Sequence, residues 1–530
     1  MLTFGIMFAF IFCLHAQYYK IIMHSNKKVI TFYNGGGENE WTINPSLKPD
    51  IFRHYSETET FRKFRFISDI DSLEFNVEIN KPIYFSIIYN GDIAHTVIEF
   101  INYIPNTLSD EQKLYALSLF WSEAKYNFAF IEKLHFDLDS LYIAYIPKIS
   151  ATKNDYEFYN QMQIFVGHFK DGHTNVNFNY SGKYTDYIDV TARYFGDNLY
   201  IIRTREDIEK YLPIGSKILE INGMTTNDYI KQHVEPYIES DFEPTVKALS
   251  AAKLFSSNLS SNLLTVKYIT PDDKIMVKTL PRDGKKTTGN FIGYSPKRWE
   301  KPIEINWIEN DIAVLGFHTF VDFGGKLVPF FEKLKDTLYH AKGIIIDLRQ
   351  NGGGSTDVAE HLLKYLIKDT DFLTYAWQTR INDGVKKANG NWIEEYEDYY
   401  KDRAYRTVMP DTIYISDSIK RFNVPITILI STMTVSAAED FLIMLYERND
   451  RPKFIGRPSF GSTGSPLVIW DWPDENGFAR ICARRVLFPY SLKPFTEGIM
   501  PDILVEYTFD EFMSGKDKDI EIAVKELEKQ

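Results

Sequence analysis

The fold is decided by the stretch Ala341–Ile367, AKGIIIDLRQNGGGSTDVAEHLLKYLI, which combines a strand, a glycine turn and a helix. The run Ile344–Ile346 is short, apolar and β-branched, as is typical of a buried strand. Gly352–Gly354 then break the pattern, and from residue 358 onward apolar residues recur at helical spacing. A glycine turn before a helix can present backbone N–H groups, and the helix start attracts negative charge.

Three interpretations of this turn are open at this point. A phosphate-binding loop is disfavoured, because neither G-x-x-x-x-G-K-[ST] nor G-x-G-x-x-G is present. An oxyanion hole would use the same N–H groups to stabilise a tetrahedral intermediate. A tight connection without any ligand is the third interpretation. The residues that face the loop must decide between them.

A second strand, turn and helix follow in the stretch VPITILISTMTVSAAEDFLIMLYERN. Val424–Ile430 predicts another buried strand, and Ser436 stands where the strand gives way to the helix. A hydroxyl at such a junction lies near the positive end of the helix and is well placed to act as a nucleophile. Ser436 and Glu439 also form an S-x-x-E capping box, so a purely structural cap is the competing interpretation.

Composition limits the class of protein. A chain of 530 residues is long enough for several domains, and 44% hydrophobic residues suffice for sizeable cores. The net charge of −12 argues against a nucleic-acid binder and against adsorption to anionic membranes. No H-E-x-x-H, C-x-x-C or Asp-rich loop is present, so neither a metal nor a cofactor is predicted.

Residues 1–16, MLTFGIMFAFIFCLHA, are apolar almost throughout and too short to span a membrane as a helix. They are predicted to be a secretory signal, although no Lys or Arg precedes the apolar run. Cys13 lies inside this segment. Cys482 is then the only cysteine of the mature chain, which excludes an internal disulfide, and it is interpreted as a packing residue.

The chain is predicted to be a multidomain α/β protein. After the signal, residues 17–104 alternate apolar and polar and predict a β domain, and residues 105–185 predict a helical segment. Residues 186–288 mix strands and helices, and residues 289–530 alternate apolar strands with helical patterns, as expected of a layered α/β domain.

Four blocks together resemble the tail-specific, or C-terminal processing, serine peptidases, including the tricorn-like branch. They are GIIIDLRQNGGG, TVSAAEDF, IGRPSFGSTG and EGIMPDILVE, and they occur in the order of that family. The stretch PIGSKILEING upstream resembles a PDZ module, with Ser216 in place of the usual Asp, and an unrelated small α/β module is its alternative. The likeness covers roughly Asp171–Tyr507.

The resemblance implies a crotonase-like ββα superhelix as the catalytic domain and Ser436 as the nucleophile. It also implies that the backbone N–H groups of Ala437 and Gly353 form the oxyanion hole. Where the tricorn-like branch has an acidic residue beside the nucleophile, this chain has Ala437, so a preference for basic side chains is not expected.

The general base is where this chain departs from the processing peptidases. Ser462 stands where that branch has a Lys, and a serine cannot accept a proton at neutral pH. The segment Asp171–Thr174 resembles the histidine block of the tricorn-like branch, which implies His173 as the base. His168 and His318 are its rivals.

A carboxylate is expected to orient the imidazole. The resemblance implies Glu497 for this role, and Glu439 is the alternative because it lies one helical turn after Ser436.

The sequence therefore predicts an exported serine peptidase that acts on peptides or protein C-terminal regions. One alternative is a catalytically inactive relative that only binds peptides. A weaker one is an acyl-CoA hydratase or isomerase, because that fold also uses glycine-loop oxyanion holes. Neither nucleic acid nor an integral membrane span in the mature chain is expected.

Overall fold

The computed structural model describes most of the chain after residue 107 and five short strands before it. The described ranges after residue 107 are 108–178, 187–255, 263–281, 290–294, 301–322, 324–474 and 477–529. The chain divides into two compact units. The first contains residues 1–107, 153–156 and 284–290, and the second contains residues 108–152, 157–283 and 291–530.

The described strands of the first unit form two small antiparallel sheets. One is formed by β1 (Ile22–Met23), β2 (Val29–Asn34) and β3 (Gly37–Thr42), and the other by β4 (Ile83–Tyr89) and β5 (Asp92–Ile98). All five strands lie within the range 17–104 for which the sequence predicts a β domain. The predicted signal, residues 1–16, lies outside the described residues.

Helices α1 (Asp110–Asn127), α2 (Leu138–Ser150) and α3 (Asp155–Gly167) come next, followed by strand β6 (Asn175–Phe178), and all but the first two residues of α3 belong to the second unit. Ser109 and Gln112 form the capping box that starts α1, as the sequence predicts. Aromatic rings such as Phe120 and Phe165 pack edge to face in the core of this segment, which makes its helical face rigid.

A seven-stranded sheet forms the next part. Its elements are β7 (Val190–Phe195), β8 (Asn198–Arg205), α4 (Glu206–Glu209), β9 (Lys217–Ile221), β10 (Met224–Thr225), α5 (Thr226–His233), α6 (Glu243–Lys253), β11 (Leu263–Ile269), β12 (Ile275–Pro281) and β13 (Phe291–Gly293). The central order is β12-β11-β9-β8-β13. The predicted strand Lys217–Ile221 and the turn at Asn222 and Gly223 are confirmed, and both turn residues have positive φ (51° and 81°).

The remainder is a layered α/β domain. Its strands are β14 (Ile303–Ile308), β15 (Ile312–Phe317), β16 (Gly343–Asp347), β17 (Asp371–Leu373), β18 (Ala376–Arg380), β19 (Tyr405–Val408), β20 (Thr412–Tyr414), β21 (Ile426–Ile430), β22 (Lys453–Gly456), β23 (Pro466–Ile469), β24 (Gly477–Cys482), β25 (Arg485–Leu487) and β26 (Ile503–Leu504). Its helices are α7 (Leu327–Leu334), α8 (Thr356–Leu366), α9 (Gly384–Asn389), α10 (Glu397–Tyr400), α11 (Ala437–Tyr446), α12 (Phe509–Met513) and α13 (Lys518–Leu527).

The main sheet of this domain has the order β14-β15-β16-β21-β22-β26 and is parallel from β15 onward. Successive residues of β16 point to opposite faces: Ile344 and Ile346 enter one core, and Ile345 enters the other, which α13 covers. This is why both predicted strands are apolar throughout. Because β16 and β21 are parallel neighbours, their carboxyl ends, with the glycine turn and Ser436 beyond them, lie side by side.

The helical segment is tied to this domain by a strand. β6 pairs antiparallel with β24 in a three-stranded sheet of order β23-β24-β6, with Asn175 opposite Arg480. A region far upstream is thereby brought to the same edge of the α/β domain as Ser436. No helix in the described part of the chain is long and apolar enough to cross a bilayer.

Candidate active site

Ser436 lies at a sharp turn between β21 and α11. Its φ of 59° and ψ of −127° are rare for a residue with a side chain. A strained turn of this kind lifts the hydroxyl out of the backbone at the edge of a sheet. Ser436 is only partly buried, so its hydroxyl is within reach of a ligand.

His173 faces this hydroxyl although 263 residues separate the two in sequence. The His173 Nε2 atom lies 3.0 Å from Ser436 Oγ, and the Nδ1 atom lies 2.8 Å from Ser462 Oγ. With the Nδ1 proton donated to Ser462, Nε2 is left to accept the proton of Ser436. The two residues singled out by the sequence thus meet at hydrogen-bond distance.

A tight turn holds His173 in this position. The Asp171 carboxylate accepts hydrogen bonds from the His173 N–H (3.0 Å) and from Thr174 Oγ1 (2.8 Å). Thr174 Oγ1 in turn accepts the Cys482 N–H at 3.0 Å, which joins the turn to β24. The imidazole position is therefore set by the turn that precedes β6 and by the attachment of this turn to the α/β domain.

Glu439 organises the loop opposite. Its fully buried carboxylate accepts the N–H groups of Gly461 (2.7 Å) and Ser462 (3.0 Å) and the hydroxyl of Ser459 (2.6 Å). It also accepts the Ser436 N–H at 3.2 Å, as in the predicted capping box. One side chain therefore fixes the backbone of the nucleophile and that of Ser462, the hydroxyl partner of His173.

Burial dominates the titration of these groups. Burial, together with the charges of Arg480 and Arg484, lowers the pKa of His173 to about 4, so the imidazole is neutral at pH 7. Burial raises the pKa of Asp171 to about 6 and that of Glu439 to about 8, against hydrogen bonds that lower both. A neutral imidazole is the form that can accept the serine proton.

The carboxylates expected to orient the imidazole occupy other positions. The Glu497 side chain is exposed and makes no hydrogen bond or ion pair with any described residue, although its backbone lies against Gly461. Glu439 acts on the imidazole only through Ser462. In this structure the group at Nδ1 is a hydroxyl, because the loop that carries Ser462 is folded against the imidazole.

The expected oxyanion hole also needs a correction. The Gly353 N–H does not point to a free site, because it donates to Asn351 Oδ1 at 2.9 Å within its own loop. Gly353 instead allows the glycine loop to lie close to Ser436, because a Cβ at residue 353 would be only 2.7 Å from the Cβ of Ser436. The Ala437 N–H, by contrast, donates to no described residue, so this predicted donor is available.

The rival histidines serve packing. His168 Nε2 lies 3.3 Å from Tyr145 Oη, and its ring packs against Phe136. The His318 ring packs over Gly316 in β15.

Sequence reasoning gave Ser462 no catalytic role and did not consider Asn351. The fully buried Asn351 joins three backbone segments, because its Nδ2 donates to Phe317 O and its own carbonyl accepts the Val435 N–H. The sequence feature that could have drawn attention to Asn351 is its position in the glycine turn. Among the described residues, no cluster of three His, Cys, Asp or Glu side chains is arranged to hold a metal ion.

A hydroxyl on a strained turn, a neutral imidazole at 3.0 Å and an available backbone N–H are the parts of a serine hydrolase site. Residues 311–505 match the model of Peptidase family S41. The chain is accordingly a serine-type peptidase that is similar to family S41 over these residues. A search of curated protein sequences gives no match.

Solved structures support the fold. The structure of mature CPAF complexed with lactacystin matches with a TM-score of 0.57 at 15% identity, covering 79% of this chain and 97% of that one. Mature CPAF itself matches with a TM-score of 0.55 at 15% identity, over 76% and 94% of the two chains. A putative peptidase from Parabacteroides merdae matches at 0.44 and 18% identity, over 79% and 97%. At these identities the likeness to CPAF concerns the fold alone.

Proposed function

We propose that this protein hydrolyses peptide bonds through Ser436, with His173 as general base and then general acid. The 3.0 Å distance between His173 Nε2 and Ser436 Oγ is the observation that carries the proposal. Ser436 Oγ attacks the scissile carbonyl carbon while Nε2 takes its proton. The C–N bond then breaks as the imidazolium returns that proton to the leaving amine, and water hydrolyses the acyl-enzyme by the same route.

Ser462 keeps the imidazole in the required tautomer by accepting the Nδ1 proton. Since burial makes the neutral imidazole strongly preferred, the imidazolium formed during attack has to be stabilised by its surroundings. Glu439 positions the Ser462 backbone and thereby the hydroxyl that accepts the Nδ1 proton. Glu497 remains a sequence-based prediction for this role, and the adjacency of its backbone to Gly461 supports testing it.

The Ala437 N–H is the first donor to the developing oxyanion. The second comes from the glycine loop, where the Gly352 and Gly354 N–H groups donate to no described residue. Such donors are worth about 10²–10³ in kcat each. The parallel sheet with helices on both faces supports a crotonase-like ββα catalytic domain.

The seven-stranded part is proposed to be a PDZ-like module that binds the peptide or gates the site. Its helix α6 touches the catalytic loop, because Thr245 Oγ1 donates to Phe460 O at 2.6 Å and Phe242 packs against Gly461. Export and action on protein C-terminal regions complete the proposal. They are supported by the apolar residues 1–16 and by the resemblance to tail-specific peptidases.

A fluorophosphonate probe tests the reaction directly. The wild-type protein should become labelled at Ser436, mapped by mass spectrometry, and should cleave denatured casein. His173→Ala should lose both properties. A catalytically inactive peptide-binding relative predicts no labelling, and Ser436→Ala would then only cost the cap, about 0.5–2 kcal/mol of stability.

A further inference from the structure

Arg484 is a cation beside the active site that no described carboxylate pairs with at ion-pair distance. It is half-buried, and its Nε atom is buried without a hydrogen-bond partner. Its guanidinium lies over the rings of Tyr375 (5.2 Å) and Trp377 (5.8 Å). Stacking on aromatic rings fixes the plane of a guanidinium and leaves its edge available for hydrogen bonds.

Several contacts place Arg484 close to the reacting groups. Its backbone lies against Gly464, two residues after Ser462. Thr356, the first residue of the helix that follows the glycine loop, and Thr463, next to Ser462, both donate to Asp440, the carboxylate whose charge interacts with Arg484. The guanidinium is also near enough to His173 for its charge to lower the pKa of that imidazole.

Asp440 is the nearby carboxylate whose charge interacts with Arg484. Both of its oxygens are already used, because Thr463 Oγ1 and Thr356 Oγ1 each donate to it at 2.7 Å. Burial raises the pKa of Asp440, which weakens it as a counter-ion. Arg480, the second cation near His173, differs from Arg484 because its Nε donates to Asn175 Oδ1 at 3.0 Å.

We propose that Arg484 binds a carboxylate of the peptide substrate, from the C-terminus or from a Glu or Asp side chain, next to Ser436. A guanidinium matches a carboxylate through two parallel hydrogen bonds, and partial burial strengthens them. The inference rests on the proposed peptidase function and adds the chemistry of its substrate.

Matched peptides distinguish the two sources of the carboxylate. One pair differs only in a free or amidated C-terminus, and a second, amidated pair differs only in Glu or Gln near the scissile bond. Wild-type kcat/KM should favour the carboxylate member of at least one pair by about tenfold or more. Arg484→Gln should remove this preference. Arg406→Gln, at an exposed arginine on β19, is the matched control and should retain it.

Binding to Ser436→Ala, measured by fluorescence anisotropy with the same peptides, tests the inference without catalysis. The carboxylate preference should be present there and absent from the Ser436→Ala, Arg484→Gln double variant. Equal binding of the members of both pairs to Ser436→Ala, or an equal loss for all peptides on Arg484→Gln, would overturn the proposal. Binding with the preference but no cleavage by the wild type would instead refute the proposed function alone.

Discussion

The serine half and the histidine half of the site are built in different ways. Ser436 follows β21, a fully buried strand with parallel neighbours on both sides, within the residues that match family S41. His173 precedes β6, a four-residue strand at the edge of a three-stranded sheet, outside those residues. Ser436 is thus held at the end of the central sheet, whereas His173 belongs to a segment that reaches the α/β domain through the β6–β24 pairing, side-chain hydrogen bonds and a shared hydrophobic core.

This difference teaches that the chemistry depends on the docking of two segments that are far apart in sequence. Damage to the histidine half should displace the imidazole and lower activity as well as stability. Comparable damage to the serine half should lower stability and leave the nucleophile in place. The predictions below use that contrast.

The largest effect is expected where the halves meet. Ser436→Ala and His173→Ala should each lower kcat by about 10⁴-fold or more, and the double variant should lose no more, because the two residues act as one unit. A fluorogenic peptide assay measures this. His168→Gln should keep wild-type turnover, since that ring contacts Tyr145 and Phe136 and not the reacting groups. Near-full activity of His173→Ala would disprove its role as the base.

The Nδ1 contact should have the next largest effect. Ser462→Ala removes the hydroxyl that lies 2.8 Å from the imidazole. We expect kcat to fall about 10–100-fold, the range found when a group that orients a metal-binding histidine is removed. KM should stay unchanged. Ser462→Thr should restore most of the loss. Glu497→Gln should change kcat less than Ser462→Ala does, and the opposite order would assign the orienting role to Glu497.

A pair of threonines compares the two halves directly. Thr174 bridges Asp171 and the Cys482 N–H, and Thr434 bridges Leu348 O and the Ser431 N–H. Each Thr→Val change leaves a buried group unpaired and should cost about 1–3 kcal/mol of unfolding free energy, measured with urea. Thr174→Val should in addition lower kcat about tenfold, an order-of-magnitude expectation for a misplaced catalytic group. Equal losses of kcat would mean that both halves are held alike.

The smallest effect is expected at the acid limit of activity, which reports the protonation of His173. His173 must be neutral to act, and its pKa is lowered to about 4, so kcat/KM should be kept as pH falls from 7 and be lost near pH 4. An ordinary histidine would lose activity near pH 6.5. The pH profile is measured at constant ionic strength, with circular dichroism at each pH to confirm folding. A midpoint near 6.5 would show that the imidazole is solvated.

The sequence predicted the parts of the site that depend on local pattern. The apolar runs of β16 and β21 and the junction at Ser436 follow from strand, turn and helix periodicity within about 30 residues. His173 was reached only through a resemblance, because the pairing of β6 with β24 joins segments about 300 residues apart. No local sequence pattern predicts such a pairing.

Two details could not be predicted for a similar reason. Whether Ser462 reaches the imidazole depends on how its loop folds around Glu439, a contact between separate segments. Whether the Gly353 N–H is available depends on the side-chain orientation of Asn351, two residues earlier, which glycine content does not reveal.

The positive φ of Ser436 has a consequence for the stability of the whole protein. A backbone held in this region costs about 1–3 kcal/mol for a residue with a Cβ, and glycine avoids most of that cost. Ser436→Gly should therefore melt at a higher temperature than Ser436→Ala, although neither can react. The fold is therefore less stable with serine at this turn than it would be with glycine, but only serine supplies a hydroxyl that projects from it.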